Sequence, residues 1–139
     1  MTVETQSKLI PRLLGKLRVN EDQIVDYREE NIEGADVVVV TYGITSRTAL
    51  PAIEQARKNG MKVGHLRLVT AWPFPEKRIR ELALKAKAFV VPELNLGQMV
   101  YEVERLVAGK AKVEHVPHAG GTVHSPKEIY TAIVDSVKG

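Results

Sequence analysis

Val37-Val38-Val39-Val40-Thr41-Tyr42-Gly43 is a run of strand-forming residues closed by a glycine. β-Branched side chains pack well on a pleated surface, and a run without polar alternation reads as a strand buried on both faces. Directly after it, Thr45 to Asn59 places Ala49, Ile53 and Ala56 on one helical face and stops at Gly60. Pro51 has no N–H to donate, which predicts a regular helix starting near Thr48, capped by that threonine. Lys62 to Val69 follows as a second strand, with Val63, His65 and Arg67 alternating against Gly64, Leu66 and Leu68. A strand, a crossover helix and a strand in so short a span is the unit of a parallel sheet.

The pattern continues toward the C-terminus. Pro73 and Pro75 break the chain, and Pro75 suits the first turn of a helix carrying Ile79, Leu82, Ala83 and Ala86 on one face. Ala88 to Glu93 is a third strand, and Asn95-Leu96-Gly97 turns into a helix showing Met99, Val103, Leu106 and Val107. Lys112 to Val116 reads as a short fourth strand. Ser125-Pro126-Lys127-Glu128 is a capping box, opening a last helix that buries Ile129, Ala132, Ile133 and Val137. The order β-α-β-α-β-α-β-α predicts an α/β fold, a three-layer α/β/α sandwich around a mostly parallel sheet. Toward the N-terminus, Leu9, Ile10, Leu13, Leu14 and Leu17 recur at helical spacing, with Pro11 expected near the helix start. Asn20 to Gly34 is acidic and poor in aliphatics, and reads as irregular. Residues 1–34 are thus an amphipathic helical arm and linker, and 35–139 an α/β domain.

Composition sets further bounds. The 139 residues, 44% hydrophobic and 27% charged, suffice for one domain with a real core. No apolar run reaches the ~18 residues of a membrane span. Met1 to Lys16 carries Glu4, Lys8 and Arg12 among its apolar residues, unlike a secretory signal, so a cytoplasmic chain with no membrane partner is expected. There is no cysteine, which excludes a disulfide, a thiolate nucleophile and any cysteine-ligated iron–sulfur cluster. The net charge of +3 is uneven: residues 1–35 hold five basic and seven acidic side chains, the rest fifteen and ten. A modestly basic body suits an anionic ligand or an acidic partner surface. No basic tract interleaves with aromatics, so no nucleic-acid partner is expected.

In such a sheet, ligands and partners meet the loops beyond the carboxyl ends of the strands. Gly43 opens a turn before a helix N-terminus, and Thr45, Ser46 and Arg47 add two hydroxyls and a cation, the makings of an anion cradle. Ordinary strand-to-helix capping explains the same residues. The loop lacks the G-x-G-x-x-G dinucleotide fingerprint, and Gly109-Lys110 lacks the glycine spacing of a phosphate-binding P-loop. Glu93 with Asn95 and Gln98 forms a polar trio, fit for a general acid or base or for ordering a loop or interface. His115, His118 and His124 gather near the C-terminus, the last two in a glycine-rich loop read as mobile; with few carboxylates nearby no metal site is expected. Trp72 and Phe74, set between prolines, form a stiff apolar projection, Trp72 the more interfacial of the two.

Taken in order, Val40-Thr41-Tyr42-Gly43 with Ser46-Arg47, Gly64 to Leu68, Trp72-Pro73-Phe74-Pro75, Glu93-Leu94-Asn95-Leu96-Gly97-Gln98 and Gly120-Gly121 resemble one family. It is the C-terminal region of the alpha subunit of 2-oxoacid:ferredoxin oxidoreductases acting on pyruvate, 2-oxoglutarate or branched-chain 2-oxoacids. The resemblance implies a transketolase C-terminal-like domain, whose five-stranded sheet includes one antiparallel strand. One strand is then missing from the reading above, with residues 117–124 a candidate edge piece. It also implies that this chain binds no cofactor itself. Thiamine diphosphate, magnesium and iron–sulfur clusters would sit on thiamine-binding and ferredoxin-like domains or subunits, which would be its partners. In the family a thiamine pyrimidine-binding domain precedes this region; the 139 residues do not include it, so the chain is expected to be either a fragment or a separate small subunit that assembles with the rest. The function implied is an assembly domain without a redox centre, inactive alone, in an enzyme turning 2-oxoacid and coenzyme A into acyl-CoA, CO2 and reduced ferredoxin. Self-association stays open. So do a free-standing module binding an anionic group such as the phosphates of coenzyme A, and a hydrolase or isomerase using Glu93.

Overall fold

In the computed structural model, which describes residues 2–138, six helices and five strands alternate for most of the chain. They are α1 (Val3–Val19), α2 (Glu21–Ile24), β1 (Tyr27–Glu30), β2 (Val37–Tyr42), α3 (Thr45–Lys58), β3 (Val63–Leu68), α4 (Glu76–Ala83), β4 (Ala88–Glu93), α5 (Met99–Val107), β5 (Lys112–Pro117) and α6 (Pro126–Ser136). The sheet order is β1-β3-β2-β4-β5. β1 runs antiparallel to β3, and the β2–β3, β2–β4 and β4–β5 pairs are parallel.

Two apolar layers sandwich the sheet. On one face Val38, Val40, Leu66, Phe89 and Val91 pack with Ile79 and Leu82 of α4 and Val103 and Leu106 of α5. On the other, Val37, Val39, Val63 and Val90 meet Ala49, Ile53 and Ala56 of α3 and Ile129 and Ile133 of α6. The unbroken apolar run of β2 is thereby explained: alternate valines serve opposite layers, and the strand lies in the middle of the sheet. Gly64 on β3 leaves room for a close approach, since a Cβ there would lie 2.9 Å from Ile32 Cδ1 and 3.0 Å from the Ile32 Cα.

Several sequence expectations need correction. The fifth strand is Tyr27–Glu30, inside the acidic stretch read as irregular, and not in 117–124. Its side chains are mostly exposed, so it shows no apolar alternation. Pairing along Tyr27–Leu68 to Glu30–His65 makes it a strand, and the Arg78 guanidinium on α4 holds Glu29 at 2.6 Å and Glu33 at 3.1 Å. α3 starts at Thr45, a turn earlier than Thr48, and carries Pro51 inside it. Likewise α1 carries Pro11 inside it and buries none of its residues. In α6 the buried polar Ser136, whose hydroxyl donates to the Ile133 carbonyl, takes the inward position, while Val137 lies past the helix end, exposed.

Candidate functional site

β2 is where the winding reverses: its chain continues to β3 on one side, and β4 then pairs on the other. Beyond the carboxyl ends of these strands is the place where open α/β sheets bind ligands and partners. Here it holds a small cleft of about 140 Å³ lined by Tyr42, Gly43, Ile44, Thr45 and Leu94.

The loop after β2 is built from hydroxyls turned inward. Thr45 Oγ1 donates to the Tyr42 carbonyl at 2.7 Å and accepts from the Tyr42 N–H at 3.2 Å. Thr41 donates its hydroxyl proton to Ser46 Oγ at 3.0 Å and lies 2.8 Å from His65 Nε2. A hydroxyl has one proton, so His65 must be the donor to Thr41, which assigns its Nε2–H tautomer. Thr41, Ser46 and His65 are all buried. Burial holds His65 below the ordinary imidazole range. Glu30, its register partner on β1, opposes this, while Arg57 and Arg67 reinforce it. Gly43, at φ +59, takes the left-handed turn that sends the chain from strand to helix. Arg47 stands exposed in the first turn of α3.

Glu93, at the end of β4, is fully buried. Its Oε2 accepts the N–H groups of Gln98 at 3.1 Å and Met99 at 2.9 Å, and its Oε1 accepts that of Val100 at 3.1 Å. Gln98, the residue in the capping position of α5, makes no side-chain cap. The glutamate therefore caps the helix from a neighbouring strand, with its negative charge against the positive end of the helix dipole. His115 Nε2 lies 3.0 Å from Glu93 Oε1 but outside hydrogen-bonding angles. Asn95 Oδ1 accepts the Gly97 N–H at 2.8 Å. Gly97 has φ +124, and a Cβ there would lie 2.8 Å from Tyr101 Oη. The spacing of Glu93, Asn95 and Gly97 is thus the recipe for one rigid turn. Gln98 contributes its backbone N–H.

The two remaining loops complete the face. The Trp72–Pro73 peptide is cis; Phe74 turns into the α4–α5 layer at 4% exposure and Trp72 points outward at 62%. After β5, His118 Nε2 meets Thr122 Oγ1 at 2.7 Å. His124, read from sequence as part of a mobile loop, is instead buried, its Nε2 donating to the Val116 carbonyl at 2.8 Å. The His118 and His124 rings sit 5.0 Å apart, centre to centre. Among the described residues no three metal-ligating side chains come together, and no helix is long and apolar enough to cross a membrane.

The structure brings Gly43, Thr45, Ser46 and Arg47, Trp72 and Phe74, and Glu93, Asn95 and Gln98 to one end of the sheet. Thr45 Oγ1, Ser46 Oγ, the Glu93 carboxylate and Asn95 Oδ1 are engaged in internal hydrogen bonds, while Trp72 and Arg47 face solvent. Sequence reasoning missed Thr41, His65 and Tyr101 as partners in these loops. A histidine and a threonine on adjacent buried strands were a signal for a polar pair, since buried polar groups seek partners. Nothing in one sequence placed Tyr101 over Gly97.

Comparison with known proteins identifies relatives of the chain as a whole. A family model described as pyruvate:ferredoxin oxidoreductase core domain II matches residues 35–129. The 2-oxoglutarate synthase subunit KorA of Methanothermobacter marburgensis is 42% identical over 131 residues, covering 94% of this chain and 35% of that protein. Among solved structures, 2-oxoglutarate:ferredoxin oxidoreductase from Magnetococcus marinus with 2-oxoglutarate, coenzyme A and succinyl-CoA bound superposes with a TM-score of 0.75 at 20% identity. The match covers 99% of this chain and 24% of the other. A split gene transketolase in an inactive beta4 tetramer gives 0.67 at 18% identity, over 79% of this chain and 42% of the other. Both share the fold. The chain spans about a third of the length of the curated relative it matches.

Proposed function

The chain belongs to the pyruvate:ferredoxin oxidoreductase core domain II family, and from that premise we propose that it is an assembly domain of a 2-oxoacid:ferredoxin oxidoreductase. The enzyme would convert a 2-oxoacid and coenzyme A into acyl-CoA, CO2 and reduced ferredoxin. This chain would carry neither the electrons nor a covalent intermediate. One observation carries the reading: a chain aligned over 94% of its length with an oxidoreductase subunit contains no cysteine to hold an iron–sulfur cluster. The residues present do not fit thiamine diphosphate and its magnesium either. The carboxylate at the end of β4 is saturated by three backbone N–H groups, and the threonine and serine beyond β2 are turned inward. In this reading those cofactors belong to thiamine-binding and ferredoxin-like partners, and no step of the reaction is routed through this chain.

The test is reconstitution. The purified chain alone is expected to reduce no viologen dye with 2-oxoglutarate, pyruvate or 2-oxoisovalerate and coenzyme A. Recovered from its native cell by an affinity tag, it is expected to bring thiamine diphosphate and iron with it, and such activity. Dye reduction by the pure chain, or recovery without thiamine diphosphate, would refute the reading.

A further inference from the structure

Asn59-Gly60, in the turn between α3 and β3, is the one asparagine–glycine pair in the sequence; Asn20, Asn31 and Asn95 are followed by Glu21, Ile32 and Leu96. An asparagine side chain and the next backbone nitrogen can close a five-membered ring, and glycine, lacking a Cβ, hinders that closure least. Both residues are exposed, and a Cβ added at Gly60 would meet nothing within 4 Å, so solvent reaches the pair freely. Gly60 holds φ +83, the left-handed conformation that ends α3. Neither residue belongs to the carboxyl-end face.

The fold restrains the pair as well as exposing it. The Gly60 N–H, which must lose its proton for the nitrogen to attack, donates to the Arg57 carbonyl at 3.0 Å. The Asn59 amide is held on both sides: Nδ2 donates to Tyr130 Oη on α6 at 2.8 Å, and Oδ1 accepts from Gln55 Nε2 at 3.3 Å. Asn59 itself ends α3 at φ −84 and ψ 14, with its N–H on the Gln55 and Ala56 carbonyls. For ring closure the turn has to open, free the Gly60 nitrogen and release the side chain from Tyr130. Local opening of this kind sets how fast the backbone of a folded protein exchanges or reacts.

We propose that Asn59 is a site of spontaneous deamidation, and that its hydrogen bond to Tyr130, which ties α3 to α6, sets the rate. The Gly60 nitrogen forms a bond to Asn59 Cγ, the Cγ–Nδ2 bond breaks, and Nδ2 leaves as ammonia with the proton that Gly60 gives up. Water then opens the cyclic imide. Cleavage at Cγ leaves aspartate; cleavage at the main-chain carbonyl carbon of residue 59 leaves isoaspartate, with one extra carbon in the backbone. One water is taken up and one ammonia released, with no oxidant, reductant or enzyme. Either product puts a carboxylate at the C-terminal end of α3, against the negative end of the helix dipole. Isoaspartate also lengthens the turn that the Met61 N–H closes on the Ala56 carbonyl at 3.1 Å, just before β3 enters the sheet.

The purified chain, its Tyr130→Phe variant and the wild-type chain unfolded in urea are incubated side by side in mildly alkaline buffer. Peptide mapping by mass spectrometry follows the amide-to-acid conversion at all four asparagines, and thermal melts report folding. Conversion is expected first at Asn59, to both aspartate and isoaspartate, and about tenfold or more slower in the folded chain than in urea. Tyr130→Phe keeps the ring that packs on the apolar layer of α3 and α6 and removes only the hydroxyl. Conversion should then rise about two- to tenfold, the equivalent of one hydrogen bond, with a melt near wild type. If that variant melts early, hydrogen exchange at the wild-type Gly60 amide in graded, subdenaturing urea is the second measure, and conversion is expected to rise in step with it. Faster conversion at Asn20, Asn31 or Asn95, or an Asn59 that stays intact in the folded chain while converting in urea, would overturn the site. Equal rates in wild type and Tyr130→Phe, or conversion that does not follow Gly60 exchange, would overturn the restraint.

Discussion

Replacing Glu93 by glutamine changes one atom's chemistry at the most constrained point of the face. The carboxylate takes three N–H groups at 2.9–3.1 Å in a fully buried setting. Glutamine offers one acceptor oxygen, and its NH2 group confronts a donor. At least one amide of Gln98, Met99 or Val100 is then left buried without a partner, at a cost of about 1–3 kcal/mol. The surviving bonds fall from charge-assisted to neutral strength, a further loss of about 1 kcal/mol each. Against this, removing a buried charge relieves some desolvation. The balance is a loss of about 3 kcal/mol, or a fall in Tm of about 9 °C for a domain of this size. Urea unfolding by linear extrapolation measures the loss, and hydrogen exchange at the three amides locates it. A loss below about 1 kcal/mol, or unchanged protection at Gln98, Met99 and Val100, would refute the view that Glu93 caps α5.

Three other outcomes follow from the same geometry. Phe74→Ala should cost about 3–5 kcal/mol of stability and Trp72→Ala less than about 1, because Phe74 is 4% and Trp72 62% exposed; thermal melts of the two variants compare them directly. Gly97→Ala should lose about 1–3 kcal/mol from its φ of +124 and the Tyr101 contact; if Tyr101→Ala in the same chain restored all of it, the backbone term would be refuted. His65 has its pKa lowered in the fold, so the unfolded chain binds more protons as pH falls. Its stabilising contribution is therefore complete above about pH 6.5 and declines as pH drops toward the lowered folded value. Stability measured from pH 7.5 to 5 should fall less in His65→Gln than in wild type; parallel curves would show that the imidazole does not titrate in this way.

The sheet's parallel part was legible in the sequence because burial leaves a direct trace there. Val37 to Val40 feed two apolar layers at once, so every position had to be aliphatic, and Ile79, Leu82 and Ala83 or Ile129 and Ile133 recur at the period of a helix face. The capping box at Ser125 and Glu128 is likewise local chemistry, readable four residues at a time. What the tertiary structure alone decided was everything held by partners far apart in the chain. Tyr27–Glu30 carries too little apolar character to announce a strand, and becomes one only where the edge of β3 and Arg78 meet it. Pro11 and Pro51 signal helix starts by local preference, yet both lie inside helices. The loops at the carboxyl end show the same division. Their residue types were visible, and a glutamate, an asparagine and two hydroxyls read equally well as chemistry or as architecture. Which it is depends on where the oxygens point, and that is set by Gln98, Met99 and Val100 around Glu93 and by Thr41 and His65 beside Ser46, contacts that exist only once strands and helices are packed.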